Sequence, residues 1–159
     1  MATDIFAKIG TIKGESLDEK HKDEVEVLSW SWGVSQEGSM GHGSGGGSGK
    51  ANFSDLHITH YIDKASPVLM AACANGEHIK EATITARKAG KGQQEYLIIK
   101  MNDILITSVQ PSGSGGDAAV ESVSLQPSKV DVEYKPQKQD GTLDAGLHFK
   151  YDMKLNKEG

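Results

Sequence analysis

LHFKYDMKL, residues 147–155, alternates without a break. Leu147, Phe149, Tyr151, Met153 and Leu155 fall on one side; His148, Lys150, Asp152 and Lys154 fall on the other. A period of two belongs to a strand, and a strand with one apolar face asks for a core beneath that face. Shorter runs upstream read the same way. Ile5–Ile12 has apolar residues on both faces, since Ile5, Phe6 and Ile9 cannot share one side. In Val25–Val34, Leu28, Trp30, Trp32 and Val34 are assigned to the core, because large indoles belong there; Val25, Val27, Ser29 and Ser31 are assigned to the outer face. The next run places Leu56, Ile58 and Ile62 inward, with His57, Thr59 and Tyr61 outward.

One helix interrupts the strands. Ser66 is read as its N-cap, and Pro67 suits the first helical position. Leu69, Ala72 and Cys73 form the i, i+3, i+4 stripe, and Asn75-Gly76 supplies a left-handed stop. Strands then resume: Ala82, Ile84 and Ala86 alternate with Thr83, Thr85 and Arg87, and apolar runs follow at 96–99, 104–109, 120–125 and 130–134. Turn-rich segments separate them at Lys88–Gln93, Pro111–Gly116 and Gln139–Gly141. About eight short strands and one helix predict a mainly β fold, a closed β-barrel of short antiparallel strands flanked by one short α-helix. The reading takes 1–159 as a single domain.

The stretch GSMGHGSGGGSGK, residues 38–50, poses a separate question. It ends in Gly49-Lys50, as a phosphate-binding loop does, but three requirements fail. Ser44 stands where the first glycine belongs, Ala51 where a hydroxyl should meet magnesium, and a strand pattern follows where a helix is needed. A flexible connector is the plainer reading. Ordering a run of this length costs on the order of 13–26 kcal/mol of backbone entropy. Gly and Ser have little apolar surface to offset that. The loop is either mobile or held by backbone hydrogen bonds to another protein surface, with help from residues such as Met40.

Composition narrows the classes. Charged residues make up 25% and apolar residues 36%, which fits a globular chain. A net charge of -5 argues against a general nucleic-acid binder. The mixed-charge stretch Glu15–Glu26 is read as a solvated loop. The lone Cys73 offers no disulfide framework and reads as a small apolar residue. Met1–Lys8 has no basic segment leading into a long apolar one, so a secretory signal is not expected. No run reaches membrane-spanning length. The chain is expected in the cytoplasm, with any export the work of a specialised machine.

Catalytic and metal motifs are scarce. His57 and His60 are three apart on a strand and therefore diverge. His42 has no ligand at useful spacing, and no Ser sits in a nucleophile-elbow context. No enzyme activity, cofactor or metal is assigned.

Several blocks together resemble the haemolysin-coregulated protein (Hcp) family. They are Val27-Leu28-Ser29-Trp30-Ser31-Trp32-Gly33, Gly38-Ser39-Met40, Tyr61-Ile62-Asp63-Lys64, Ser66-Pro67, Leu69-Met70, Ala72-Cys73 and Gly76-Glu77-His78. Arg87-Lys88-Ala89-Gly90, Glu95-Tyr96-Leu97-Ile98 and Tyr134-Lys135-Pro136-Gln137-Lys138 extend the resemblance, which runs from about residue 4 to the C-terminus. It implies a barrel protomer, six of which close into a ring, with rings stacking as the inner tube of the bacterial type VI secretion system. It also implies partners: further copies of the chain, a tip spike, a contractile sheath and baseplate, and small effector proteins carried in the lumen. Neither nucleic acid nor membrane insertion is implied. Such a protein is cytoplasmic before firing and then expelled outside or into a target cell. By the same resemblance, Ser39, Met40, Gly41, His42, Gly43, Gly46 and Lys50 belong to an extended loop that reaches a neighbouring protomer or ring. Ser31, opposite the indoles, and Ser114, in the second glycine loop, are candidate lumen contacts for effectors. Two other readings stay open: a monomeric β-barrel that binds carbohydrate or another small ligand, and a hydrolase with a scattered active site.

Overall fold

The computed structural model describes residues 2–38, 50–88 and 92–159. The strands are β1 (Thr3–Ile9), β2 (Val25–Glu26), β3 (Ser29–Ser31), β4 (Val34–Ser35), β5 (Asn52–Phe53), β6 (Leu56–Tyr61), β7 (His78–Lys88), β8 (Glu95–Ser112), β9 (Val120–Tyr134), β10 (Leu147–Asp152) and β11 (Lys157–Glu158), with α1 (Ser66–Asn75) between β6 and β7. Every pairing is antiparallel. The fold is therefore mainly β with one short helix, as the alternation predicts.

The expected closed barrel is not what forms. The large sheet is open, running β11-β10-β9-β8-β7-β1-β2, with β6 added to β9 and β3 added to β6. On one edge β9 carries β8 for most of its length; its other edge holds β6 over residues 120–125 and β10 over residues 129–134. The reason for the open ladder lies in Val25–Val34. That run is not one strand but three short pieces, because the chain changes partner within it. β2 pairs with β1, β3 pairs with β6, and β4 pairs with β5. Between them the Val27 N–H donates to the Ile5 carbonyl at 2.9 Å and the Leu28 N–H to the Thr59 carbonyl at 2.7 Å. The crossing slips the period by one residue. Val25 and Val27, expected outward, are buried; Leu28 and Val34, expected inward, are exposed. Trp30 and Trp32 do pack against the core.

Other boundaries shift for related reasons. The apolar runs at 96–99 and 104–109 belong to one strand, as do those at 120–125 and 130–134. Polar residues in the middle of β8 and β9 mark bends rather than ends; Asp103 takes a positive φ of 51° and β8 is bulged between Ile106 and Ser108. Ser66 is not the N-cap. Ala65 is, and it makes no side-chain cap bond, while Ser66 opens the helix and its Oγ accepts the Asp63 N–H at 3.2 Å. Gly76 ends the helix in the left-handed conformation, as expected, at φ 62°. Ile62, expected inward, lies past the end of β6 and is exposed, and the third inward position of that strand goes to His60. On the final run Phe149, Tyr151 and Met153 pack inward, but Leu147 and Leu155 are exposed and Asp152 is buried.

The core joins Ala7 and Ile9 of β1, Leu56 and Ile58 of β6, Leu69 and Ala72 of α1, Ile84 of β7, Ile99, Met101, Ile104 and Ile106 of β8, and Val123 and Leu125 of β9. The mixed-charge stretch, expected to be solvated, is instead fastened over β1 and β7, so Thr85 and Arg87 are buried as well as their apolar neighbours. Arg87 donates from two guanidinium nitrogens to Asp18, and it lies over the Phe6 ring at 4.8 Å. His21 stacks on Phe6 at 4.5 Å and bonds Glu24 at 3.0 Å and Glu95 at 2.8 Å. Gly14 makes the fit possible, since a Cβ there would come within 2.5 Å of the Glu24 carbonyl.

Candidate functional site

Four strand segments, β3, β6, the first half of β9 and the last part of β8, lie side by side in that order. Residues paired across strands share a face, so the register can be read as rows. One row is Ser31, His57, Ser124 and Ser108. The next is Ser29, Thr59, Ser122 and Gln110. Between them lies Trp30, Ile58, Val123 and Val109 on the opposite face, and that row packs into the core. The sheet is thus sharply two-sided: apolar and buried below, hydroxyl-rich above. Neither polar row contains Lys, Arg, Asp or Glu.

The polar face is internally bonded. Ser108 Oγ donates to Ser124 Oγ at 2.8 Å, and Ser124 Oγ lies 2.8 Å from His57 Nδ1. Asp55, just before β6, accepts the Thr107 hydroxyl at 2.6 Å. Beyond the Ser29 row the face continues through Tyr61, Val120 and Ser112. Among the described residues, β3 pairs on one edge alone, and residues 106–112 of β8 pair only with β9. Both outer edges of this four-stranded segment therefore present unpaired backbone groups, the feature by which sheets extend into neighbouring chains.

The predicted residues map onto this geometry unevenly. Ser31 is exposed in the first polar row, and Ser114 is exposed in the loop that continues β8 past Ser112, at the rim of the same face. Ser39, Met40, Gly41, His42, Gly43 and Gly46 lie outside the described residues. Lys50 is exposed and sits at a different place, on the rim of a cavity of about 400 Å³. Phe53, Leu105, Tyr151 and Met153 line that cavity, together with the ion group of Asp103, Lys154 and His78. Lys154 first, then His78, hold the Asp103 carboxyl down at about 2. His57, Ser108 and Ser124 were not among the predicted site residues. The hydroxyls opposite the core face were visible in the sequence, but their alignment across strands required the register.

This is the geometry of an open antiparallel sheet with unpaired edges and one neutral polar surface held over an apolar core. The sequence model of the family described as "Type VI secretion system effector, Hcp" matches residues 6–134. The chain is 53% identical over 159 residues to Protein hcp1 of Pseudomonas aeruginosa, with 98% of each chain covered. Among solved structures, Hcp1 from Salmonella typhimurium shares 44% identity and a TM-score of 0.83 with full coverage of both chains. A structure of a type six secretion system protein superposes at a TM-score of 0.93 with 30% identity, covering 99% of this chain and 100% of that one. The chain belongs to the Hcp family of the type VI secretion system. Among the described residues, no helix is long and apolar enough to cross a membrane.

Proposed function

We propose that this protein is a single-domain, non-catalytic tube subunit. Six copies close into a ring, rings stack into the inner tube of a type VI secretion machine, and the tube is expelled with its spike. The observation that supports this is the four-stranded segment with both edges unpaired and one neutral polar face. Edges of neighbouring copies can pair, head to tail, until rotation closes the ring. The polar faces then line the lumen, and the aliphatic core stays inside each wall segment. In this reading the lumen holds small effector proteins before delivery, with Ser31 within it and Ser114 at its rim. The loop containing Ser39, Met40, Gly41, His42, Gly43, Gly46 and Lys50 meets a neighbouring protomer or ring. Sheath and baseplate contact the outside. The subunit resides in the cytoplasm until firing and is then expelled by the machine.

Native mass spectrometry tests the ring directly, and a chain that stays monomeric at every concentration overturns it. The lumen assignment is tested by Ser31→Gln, a bulkier side chain in the first polar row. Co-purification of an effector from the same bacterium is expected to fall while the ring mass is retained. Unchanged capture would refute the placement of Ser31.

A further inference from the structure

We propose that His57 is a proton-dependent determinant of which proteins the polar face holds, favouring acidic surfaces as pH falls. The inference rests on the lumen reading above for its biological setting, but its chemistry belongs to the face itself. His57 is exposed in the same row as Ser31. It is the one titratable side chain in the two polar rows. The groups around it on the same face are Ser29 and Ser31 from β3, Ser122 and Ser124 from β9, and Ser108 and Gln110 from β8. On the same side, Asp55 stands just before β6 and Tyr61 at its far end; the Asp55 carboxylate accepts the Thr107 hydroxyl and keeps its negative charge.

The hydrogen bonds supply a direction. Ser108 donates to Ser124, which leaves the Ser124 proton free to be given to His57 Nδ1, 2.8 Å away. In that arrangement the ring is neutral, with its own proton on Nε2, which has no partner among the described residues. Adding a proton at Nδ1 reverses the last bond. Nδ1–H then donates to Ser124 Oγ, and the Ser124 hydroxyl must turn away. The row, itself without Lys, Arg, Asp or Glu, gains a positive charge at the level of Ser31, with Asp55 the carboxylate beside it on this face. Histidine is the side-chain type that ordinarily makes this change between about pH 5 and 8. In a ring the charge is repeated once per copy at the same height, so a weak preference per protomer becomes multivalent.

The test uses two labelled peptides of equal length, one of alternating Glu and Gly and one of alternating Lys and Gly. Their binding to the full-length protein is measured by fluorescence anisotropy at fixed ionic strength, at about pH 8 and about pH 5.5. On acidification the acidic peptide's affinity is expected to rise about fivefold and the basic peptide's to fall by a like factor, the change that one added charge at contact distance in water brings, so that their ratio rises about 25-fold. His57→Gln is expected to cut the rise to the smaller change that the chain's other histidines bring, and His57→Lys to hold the high ratio at both pH values. A rise undiminished in His57→Gln overturns the proposal, as does a ratio that never changes in the wild type. Native mass is recorded on the same samples. Loss of the ring with a His57-dependent rise retained refutes the tube reading and upholds this one. A ring with no such rise does the reverse.

Discussion

Replacing Glu121 with alanine should be among the most damaging single changes this chain can suffer. Glu121 and His60 are cross-strand partners on β9 and β6, both with no solvent exposure. Oε1 of the carboxylate lies 2.9 Å from Nε2 of the imidazole. Among the described residues, the far atoms of the pair, Glu121 Oε2 and His60 Nδ1, have no hydrogen-bond partner, and the nearest carboxylate oxygen to Nδ1 is Asp63 Oδ2 at 3.9 Å. Burial, foremost, pushes the Asp63 carboxyl above its ordinary range. The pair is therefore well joined on one side and bare on the other. Removing one partner leaves the other buried alone, which costs about 3–5 kcal/mol. For a chain of this size each kcal/mol lowers Tm by about 2–4 °C, so Glu121→Ala should lose roughly 6–20 °C. The double replacement His60→Leu with Glu121→Leu removes both polar groups at once and should recover most of that loss, because well-packed apolar side chains commonly match or exceed a buried ion pair. Urea unfolding followed by the fluorescence of Trp30 and Trp32 measures both. It must be run at fixed protomer concentration, since assembly adds stability by mass action. A loss below about 1 kcal/mol in Glu121→Ala, or a double-Leu variant no better than the single one, would refute the reasoning.

Three further outcomes follow from the same structure. Gly14→Ala forces a Cβ against the Glu24 carbonyl, and chemical denaturation should register a loss of about 1–3 kcal/mol, as for overpacked sites, with the 13–24 segment losing hydrogen-exchange protection first. The Arg87 hydrogen bond, first among several causes, lowers the Asp18 carboxyl to about 2. Its stabilising contribution is complete above the unfolded value of about 3.9 and disappears as pH falls toward 2. Protection of residues 14–24 should drop through that window in the wild type but not in Asp18→Asn, whose protection is already reduced at neutral pH. Deleting residues 41–48 should leave a protomer with unchanged circular dichroism but shorter stacks, and tubes of undiminished length in electron micrographs would contradict the loop assignment.

Alternation alone was enough to place this chain among β proteins. A strand needs nothing but its own side chains to declare two faces, so Leu147–Leu155 announced itself, and so did the helix stop at Gly76, where the left-handed backbone suits glycine. The hydroxyls opposite the core residues of β3 and β6 were also legible, as was the family through its ordered blocks. Long-range partnership was not. Whether Val25 or Leu28 points inward depends on which neighbour accepts each backbone N–H, and that partner changes from Ile5 to Thr59 between adjacent residues. The same holds for the mixed-charge stretch. Its composition reads as solvated, yet Asp18 and His21 find Arg87 and Glu95 about seventy residues away. Ser31 and Ser108 became members of one row only when four strands were laid in register. Local periodicity is written in neighbouring residues, whereas the alignment of distant segments is set by the free energy of packing them together, and no short window of sequence contains it.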